Sequence, residues 1–189
     1  MTTIPIAAPA AEPLTLAEVK AHLRIEGAAE DDYLLGLIRV ARAHLERSTG
    51  LCLITQSFRL VLESVSEDRV IQLLKGPVQA IDAIRVYDGA GTPRALSVPL
   101  LALDREGPPV RLRLPASLDL PMAENGIEIE FTAGFGASGA EVPDSLKRAM
   151  LLHVARMFDY RGAVTLDNQP AVLPDGYERL VQPFLGMHL

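Results

Sequence analysis

The sequence of 189 residues has no tryptophan, a single cysteine and few aromatic side chains, which make up 5% of it. Because Cys52 is alone, an intrachain disulfide framework and a thiolate metal cluster are excluded. No run of about eighteen apolar residues is present, so we expect no membrane-spanning helix. Residues 1–13 contain three prolines and no Lys or Arg. We therefore expect an extended arm there rather than a secretory signal.

Positive charge is also scarce. The chain has 18 Lys and Arg against 24 Asp and Glu, for a formal net charge of −6. Acidic side chains outnumber basic ones in residues 1–50, 51–140 and 141–189 alike, so no segment forms a basic patch. Because binding to a nucleic-acid backbone depends on clustered Lys and Arg, this distribution disfavours DNA binding. Apolar residues make up 49% of the chain, which is typical of a folded domain.

Apolar residues recur at helical spacing near both ends of the chain. Thr15 and Glu18 form a capping-box pattern at the start of the first helical segment. Gly50 is suited to end the second, and Pro143 to begin the third. We predict four helices, over about residues 15–24, 30–50, 143–160 and 175–181.

Between the helical segments, apolar and polar residues alternate with a period of two, which predicts short strands bounded by prolines. We expect a small antiparallel β unit of five or six strands over residues 54–133. The predicted fold class is thus α+β: a helical bundle, made of N-terminal helices and a long C-terminal helix, interrupted by a small antiparallel β insert. The bundle takes residues 14–52 and 142–185, an extended arm residues 1–13, and a C-terminal tail residues 186–189.

A glycine-bearing loop, Gly134-Phe135-Gly136, lies between the last predicted strand and the third helix. A nucleotide-binding loop would occupy the same place, but the third glycine of the dinucleotide fingerprint and the Gly-Lys-Ser/Thr of a phosphate-binding loop are both missing. We interpret the three residues as a strand–helix joint, with two glycines in unusual backbone conformations and Phe135 filling the joint.

No group of residues has the spacing of a catalytic or metal site. His153 falls on the apolar face of its helix, and no His-x-x-x-His pair exists. Glu128 and Glu130 share one strand face, as Arg111 and Arg113 share another, and cross-strand pairing of those two strands would neutralise both pairs. We expect this face to be solvated or to contact another subunit. The sequence therefore predicts no catalytic, cofactor-binding or metal-binding residue and no enzymatic activity.

Three segments together resemble the head–tail connector (adaptor) proteins of long-tailed phages and gene transfer agents. The first is "PLTLAEVKAHLRIEGAAEDDYLLGLIRVARAHLERSTGLCLITQSFRL", residues 13–60. The second is "LLKGPVQAIDAIRVYDGAGT", residues 73–92, with a strand behind a proline and an Asp-Gly turn. The third joins "IEIEFTAGFG", residues 127–136, to "VPDSLKRAMLLHVARMFDYRG", residues 142–162. Their order and spacing are more specific than any one of them.

The resemblance implies a structural ring subunit, commonly in twelve copies, at the head–tail junction of a virion or virion-like particle assembled in the cytoplasm. Its partners would be further copies of itself, the portal protein and a stopper or tail-terminator protein, with DNA passing through the channel without specific binding and with no membrane or cofactor. We expect the apolar C-terminal tail to dock on the portal through Phe184, Leu185, Met187 and Leu189. Two alternatives stay open: a small enzyme with dispersed carboxylates, and a DNA-packaging accessory factor.

Overall fold

The computed structural model describes residues 1–97, 102–104, 109–115, 126–161 and 173–185. The chain divides into two compact units. The sheet unit consists of Met1–Pro9 and Thr55–Gly134, and the helical unit of Ala10–Ile54 and Phe135–Leu189. Each unit is therefore built from two separate stretches of sequence.

The helical unit begins with the expected capping box. The Glu18 N–H donates to Thr15 Oγ1 at 3.1 Å, and the Thr15 N–H donates to the Glu18 carboxylate at 2.7 Å. Gly50 adopts φ 74° and ends the second helix, where its N–H donates to the Glu46 carbonyl at 3.1 Å. The described helices are α1 (Leu16–Leu23), α2 (Asp31–Thr49), α3 (Asp144–Asp159) and α4 (Tyr177–Val181), with 3-10 turns at Gly139–Glu141 and Gln182–Phe184.

Apolar side chains of α2 and α3 form most of the core of the helical unit. Helix α3 packs against α2, and also against α1 and α4. A fully buried Leu, Ile, Val or Met side chain stabilises the fold by roughly 1.5–3 kcal/mol relative to an exposed one. The face that α2 and α3 share is therefore the main source of stability of the helical unit. The buried residues of the two helices in this core are Leu34, Leu37, Ile38, Ala41, Leu45, Leu146, Ala149, Met150, Val154 and Met157.

The sheet unit contains two antiparallel sheets. Its described strands are β1 (Thr2–Ala7), β2 (Gln56–Leu62), β3 (Val70–Leu73), β4 (Val78–Tyr87), β5 (Pro93–Leu96), β6 (Ala102–Asp104), β7 (Val110–Arg113) and β8 (Ile127–Ala133). The five-stranded sheet has the order β1-β2-β8-β4-β5, and the three-stranded sheet has the order β3-β7-β6. Strands β2 and β8 lie in adjacent positions although about 65 residues separate them in sequence.

Strands β2 and β8 bury every second side chain, as the alternating sequence predicts. Phe58 lies opposite Phe131 in the register, and the two rings stack with centroids 5.6 Å apart and an interplanar angle of 29°. The half-buried residues that alternate with the buried ones along these strands form what we call the outer face of the sheet. On β2 and β8 these residues are Ser57, Arg59, Val61, Glu128, Glu130 and Thr132.

The predicted architecture, a helical bundle of N-terminal helices and a long C-terminal helix interrupted by a small antiparallel β insert, is wrong, although the mixed α+β composition is present. The described part of the chain has eight strands in two sheets, against the five or six expected. Helix α3 spans 16 residues and is shorter than α2, which spans 19. One reason is that residues 2–7 pair with β2 and add a strand that their proline content conceals.

Candidate functional site

Two arginines and two glutamates on the outer face form a connected polar network. Glu130 on β8 accepts a hydrogen bond from Arg59 Nη2 on β2 at 2.7 Å and from Arg85 Nη1 on β4 at 2.8 Å. Both bonds end on the same carboxylate oxygen, Oε1. Glu128 accepts from the Tyr87 hydroxyl at 2.9 Å and lies 3.8 Å from Arg59 Nε. Three adjacent strands are thus linked through their side chains as well as their backbones.

The network fixes the protonation state of its central carboxylate. Hydrogen bonds from Arg85 and Arg59 lower the pKa of Glu130 below its ordinary value. The hydrogen bond to Glu128, followed by partial burial, raises the pKa of the Tyr87 hydroxyl. Glu130 is therefore ionised at neutral pH and already accepts two donors. This is the arrangement of an ion-paired sheet surface, whereas a general acid needs a raised pKa.

Cross-strand pairing of Glu128 and Glu130 with Arg111 and Arg113, which would have neutralised both pairs, does not occur. Strand β7, which carries both arginines, pairs with β3 and β6 in the three-stranded sheet, whereas β8 pairs with β2 and β4. Arg111 lies opposite Gln72 and Asp104 in the register. Alternation along each strand indicated which side chains share a face, but it could not show which strands are neighbours.

The predicted strand–helix joint contains two glycines in demanding positions. Gly134 has φ 145°, a conformation that side-chain-bearing residues rarely adopt, and its N–H donates to the Pro77 carbonyl at 2.9 Å. Gly136 forms a parallel bridge with Ile54 in the helical unit. A Cβ atom at Gly136 would overlap the Glu141 carboxylate, so only glycine fits beside that side chain as placed.

The predicted docking residues at the C-terminus have different surroundings. The Phe184 ring packs against the ring of Phe135, with centroids 6.3 Å apart and an interplanar angle of 87°, and both rings lie beside the core of the helical unit. Leu185 is 45% exposed. Met187 and Leu189 lie outside the described residues. Of the predicted docking residues that the structure describes, Leu185 is therefore the one whose apolar side chain is available to a partner.

His153 is fully buried in the helical unit. Its ring lies 5.0 Å from that of His44 and 5.6 Å from that of Tyr177, in edge-on contacts that hold α4 against α2 and α3. Burial, and secondarily the charge of Arg47, lower the pKa of His44. Burial raises the pKa of Tyr177 to about 12. His153 contacts rings of the helical unit, and the carboxylates of Glu128 and Glu130 contact arginine and tyrosine side chains of the sheet unit.

A second ion-pair network lies in the helical unit, at residues that the sequence pattern does not single out. Arg42 on α2 donates to Glu12 at 2.8 and 3.3 Å and to Glu46 at 3.2 Å. Glu46 also accepts the N–H of Leu53 at 2.9 Å. The i,i+4 spacing of Arg42 and Glu46 was a usable signal for one of these pairs. The contact with Glu12, thirty residues away, had no local signal.

Metal-binding clusters and membrane-spanning helices are absent from the described residues. Among them, no three His, Cys, Asp or Glu side chains are grouped closely enough to hold a metal ion. In the same ranges, the helices are too short or too polar to cross a membrane. What the described structure provides is buried apolar cores, ion pairs that link its strands and its helices, and exposed apolar side chains that lie mostly near the ends of the chain.

Comparison with known proteins gives the family. Residues 13–88 match the family model described as phage gp6-like head–tail connector protein. Comparison with curated protein sequences finds no match. The chain therefore belongs to the gp6-like head–tail connector family, the family that the three sequence segments resemble.

Solved structures similar over the full chain come from gene transfer agent (GTA) particles. The neck of an empty GTA particle, computed with C6 symmetry, contains a chain that is 29% identical with a TM-score of 0.84. The virion of a native GTA particle contains one that is 30% identical with a TM-score of 0.82. The neck of a native GTA particle, computed with C12 symmetry, contains one that is 29% identical with a TM-score of 0.80. Each comparison covers 100% of this chain and 97% of the other.

Proposed function

We propose that this chain is a structural, non-enzymatic subunit of the head–tail connector in the neck of a phage or gene transfer agent particle. The observation that carries the proposal is similarity along 100% of the chain, at 29–30% identity, to chains in GTA neck and virion structures. The outer-face network agrees with this function, because its carboxylates form ion pairs and hydrogen bonds that tie strands together. A subunit that bears mechanical load benefits from such links between strands.

In the proposed assembly, twelve copies form a ring around the DNA channel, below the portal and above a stopper or tail-terminator protein. The C12 symmetry of one similar neck structure supports the copy number. Twelve chains of net charge −6 carry about −72 in total, which disfavours adhesion of the DNA phosphates to the ring. DNA therefore passes through without specific binding.

The exposed end of the described tail supports a docking role. Leu185 is 45% exposed directly after the 3-10 turn, whereas Phe184 packs on Phe135 and contributes to the fold. We propose that Leu185, together with Met187 and Leu189, contacts the portal protein. Apolar side chains that fill a pocket on a partner contribute most of the binding free energy of such contacts.

The assembly is tested by cryo-electron microscopy of purified particles. We expect density for this chain, in twelve copies, between the portal and the next ring of the neck. Mass spectrometry of the same particles checks that the chain is present. Particles that contain complete necks without this chain would refute the proposal.

The docking role is tested with Leu185→Asp, which leaves Phe184 in place and so keeps the packing on Phe135 intact. We expect the variant to fold normally and to lose attachment to the portal in a pull-down assay. Leu74→Asp is the matched control, since Leu74 is 49% exposed in the sheet unit. Portal binding that survives Leu185→Asp, and also survives deletion of residues 186–189, would show that the tail does not dock there.

A further inference from the structure

Exposed apolar side chains are concentrated at the N-terminus. Five large apolar side chains are exposed in the described part of the chain, and three of them lie within the first six residues. Met1 is 60% exposed, Ile4 47% and Ile6 52%. A cluster of this kind on a folded chain marks a surface that another molecule covers.

These side chains lie on and beside β1, an edge strand of the five-stranded sheet. Strand β1 pairs with β2 on one side, and in the described structure no strand pairs with its other side. Exposed edges are normally protected by charged side chains, but the first charged side chain of this sequence is Glu12. Pro5 removes one backbone donor and is the only protective residue within the strand. The edge is therefore able to accept a further strand.

The register of β1 also favours display of its isoleucines. Ile4 lies opposite Arg59, beside the outer-face network. The register shifts between Pro5 and Ala7, which leaves Ile6 as an extra residue with no cross-strand partner. Bulges of this kind redirect side chains and recur at functional edges. Ile4 and Ile6 are therefore both exposed on this edge strand, and Ile4 lies next to the ion-paired side chains of the sheet.

We infer that β1, with Met1, Ile4 and Ile6, is the surface through which each subunit contacts a second copy of this chain. This inference rests on the ring arrangement proposed above. Copies that each carry a net charge of −6 repel one another, so the contact between them is most favourable where charge is absent. Residues 1–11 are such a surface, since they contain no charged side chain. An open edge strand adds backbone hydrogen bonds with a strand or extended segment of the neighbour.

Photo-crosslinking in assembled particles tests the contact. A benzophenone amino acid replaces Ile6, and in a separate control it replaces Leu74, which is exposed to a similar degree in the same unit. After irradiation we expect position 6 to give a band at twice the mass of the chain, containing peptides of this chain alone, and position 74 to give at least tenfold less of it. A crosslink from position 6 to a different particle protein, or no interchain crosslink, would overturn the inference.

A second measurement does not depend on crosslinking. The double variant Ile4→Lys/Ile6→Lys is compared with Leu74→Lys for the amount of chain incorporated into particles. We expect the double variant to be incorporated about tenfold less, the change that corresponds to about 1.4 kcal/mol, while the control is unchanged. Thermal unfolding of both variants checks the fold. Incorporation of a folded double variant at the wild-type level would overturn the contact, whereas absence of the wild-type chain from complete necks would refute the proposed function itself.

Discussion

Arg42 is the residue whose replacement tests the energetics of the helical unit most directly. Its guanidinium bonds to Glu12 at 2.8 Å and to Glu46 at 3.2 Å, and the side chains are 16%, 26% and 12% exposed, respectively. Hydrogen bonds to these carboxylates raise the pKa of Arg42 against the opposing effect of burial, which is the larger single influence. The substitution Arg42→Met keeps most of the side-chain length and leaves two carboxylates close together without their shared cation.

The expected loss of stability lies between two known limits. Exposed ion pairs contribute about 0–1 kcal/mol, and breaking a fully buried pair costs about 3–5 kcal/mol. For side chains at this intermediate burial we expect Arg42→Met to cost about 2 kcal/mol. In a chain of this size that corresponds to a Tm lower by roughly 4–8 °C, and to a urea midpoint lower by roughly 1 M if m is about 2 kcal/mol/M.

Circular dichroism at 222 nm suits the measurement, because the chain has no tryptophan and the loss falls on the helical unit. Arg39→Met is the matched control: it changes an exposed arginine one turn earlier on α2 and should alter stability by less than about 0.5 kcal/mol. A double-mutant cycle that combines Arg42→Met with Glu12→Gln isolates the interaction energy between Arg42 and Glu12. If Arg42→Met and Arg39→Met unfold at the same urea concentration, the network does not stabilise the fold and our reasoning is refuted.

Three further predictions concern stability. Gly139→Ala places a Cβ against the Pro13 carbonyl and should lower the free energy of urea unfolding by about 1–3 kcal/mol. Gly36→Ala, with open space around the new Cβ, is the control and should be neutral or stabilising. Equal effects of the two substitutions on unfolding would contradict the overlap with Pro13. The pKa of Tyr177 is raised to about 12 in the folded chain, so the unfolded chain releases the hydroxyl proton first and stability should fall between about pH 10 and 12. Tyr177→Phe should make stability fall less steeply over this range. An unchanged slope would contradict the role of the Tyr177 hydroxyl. Because the pKa of Glu130 is lowered in the folded chain, its ionised carboxylate stabilises the fold above the ordinary pKa of 4.5, and this stabilisation is lost as pH falls through the lowered pKa. Glu130→Gln should reduce the loss of stability in acid. Identical acid midpoints for the variant and the unchanged chain would show that the ion pairs do not contribute.

Local features of the fold could be predicted from the sequence. The capping box at Thr15 and the glycine at position 50 are present because both depend on chemistry within one helical turn. The alternation of β2 and β8 identified their buried faces for the same reason. Such signals depend on residues that are near one another in the chain, and the sequence states them directly.

Long-range pairing could not be predicted from a single sequence. Arg59 and Glu130 are 71 residues apart, and their contact depends on β2 and β8 being neighbours. The same limit left the neighbours of β8 undetermined and concealed the pairing of β1 with β2. Arg42 lies off the apolar stripe of α2, and helical periodicity alone cannot show that Glu12 covers it. The family, in contrast, was accessible because three short segments keep their order and spacing.

The bridge between Ile54 and Gly136 brings together the two sides of the stretch that contributes most of the sheet unit. The two residues flank the long stretch 55–134, and bridged residues have Cα atoms only about 5 Å apart. A linker of a few glycines would therefore span the gap if that whole stretch, and with it the N-terminal strand, were removed. The helical unit would then be one continuous chain from Ala10 onward, closed by a single short linker. Its core would be retained, because the buried residues that form it lie outside the two removed stretches.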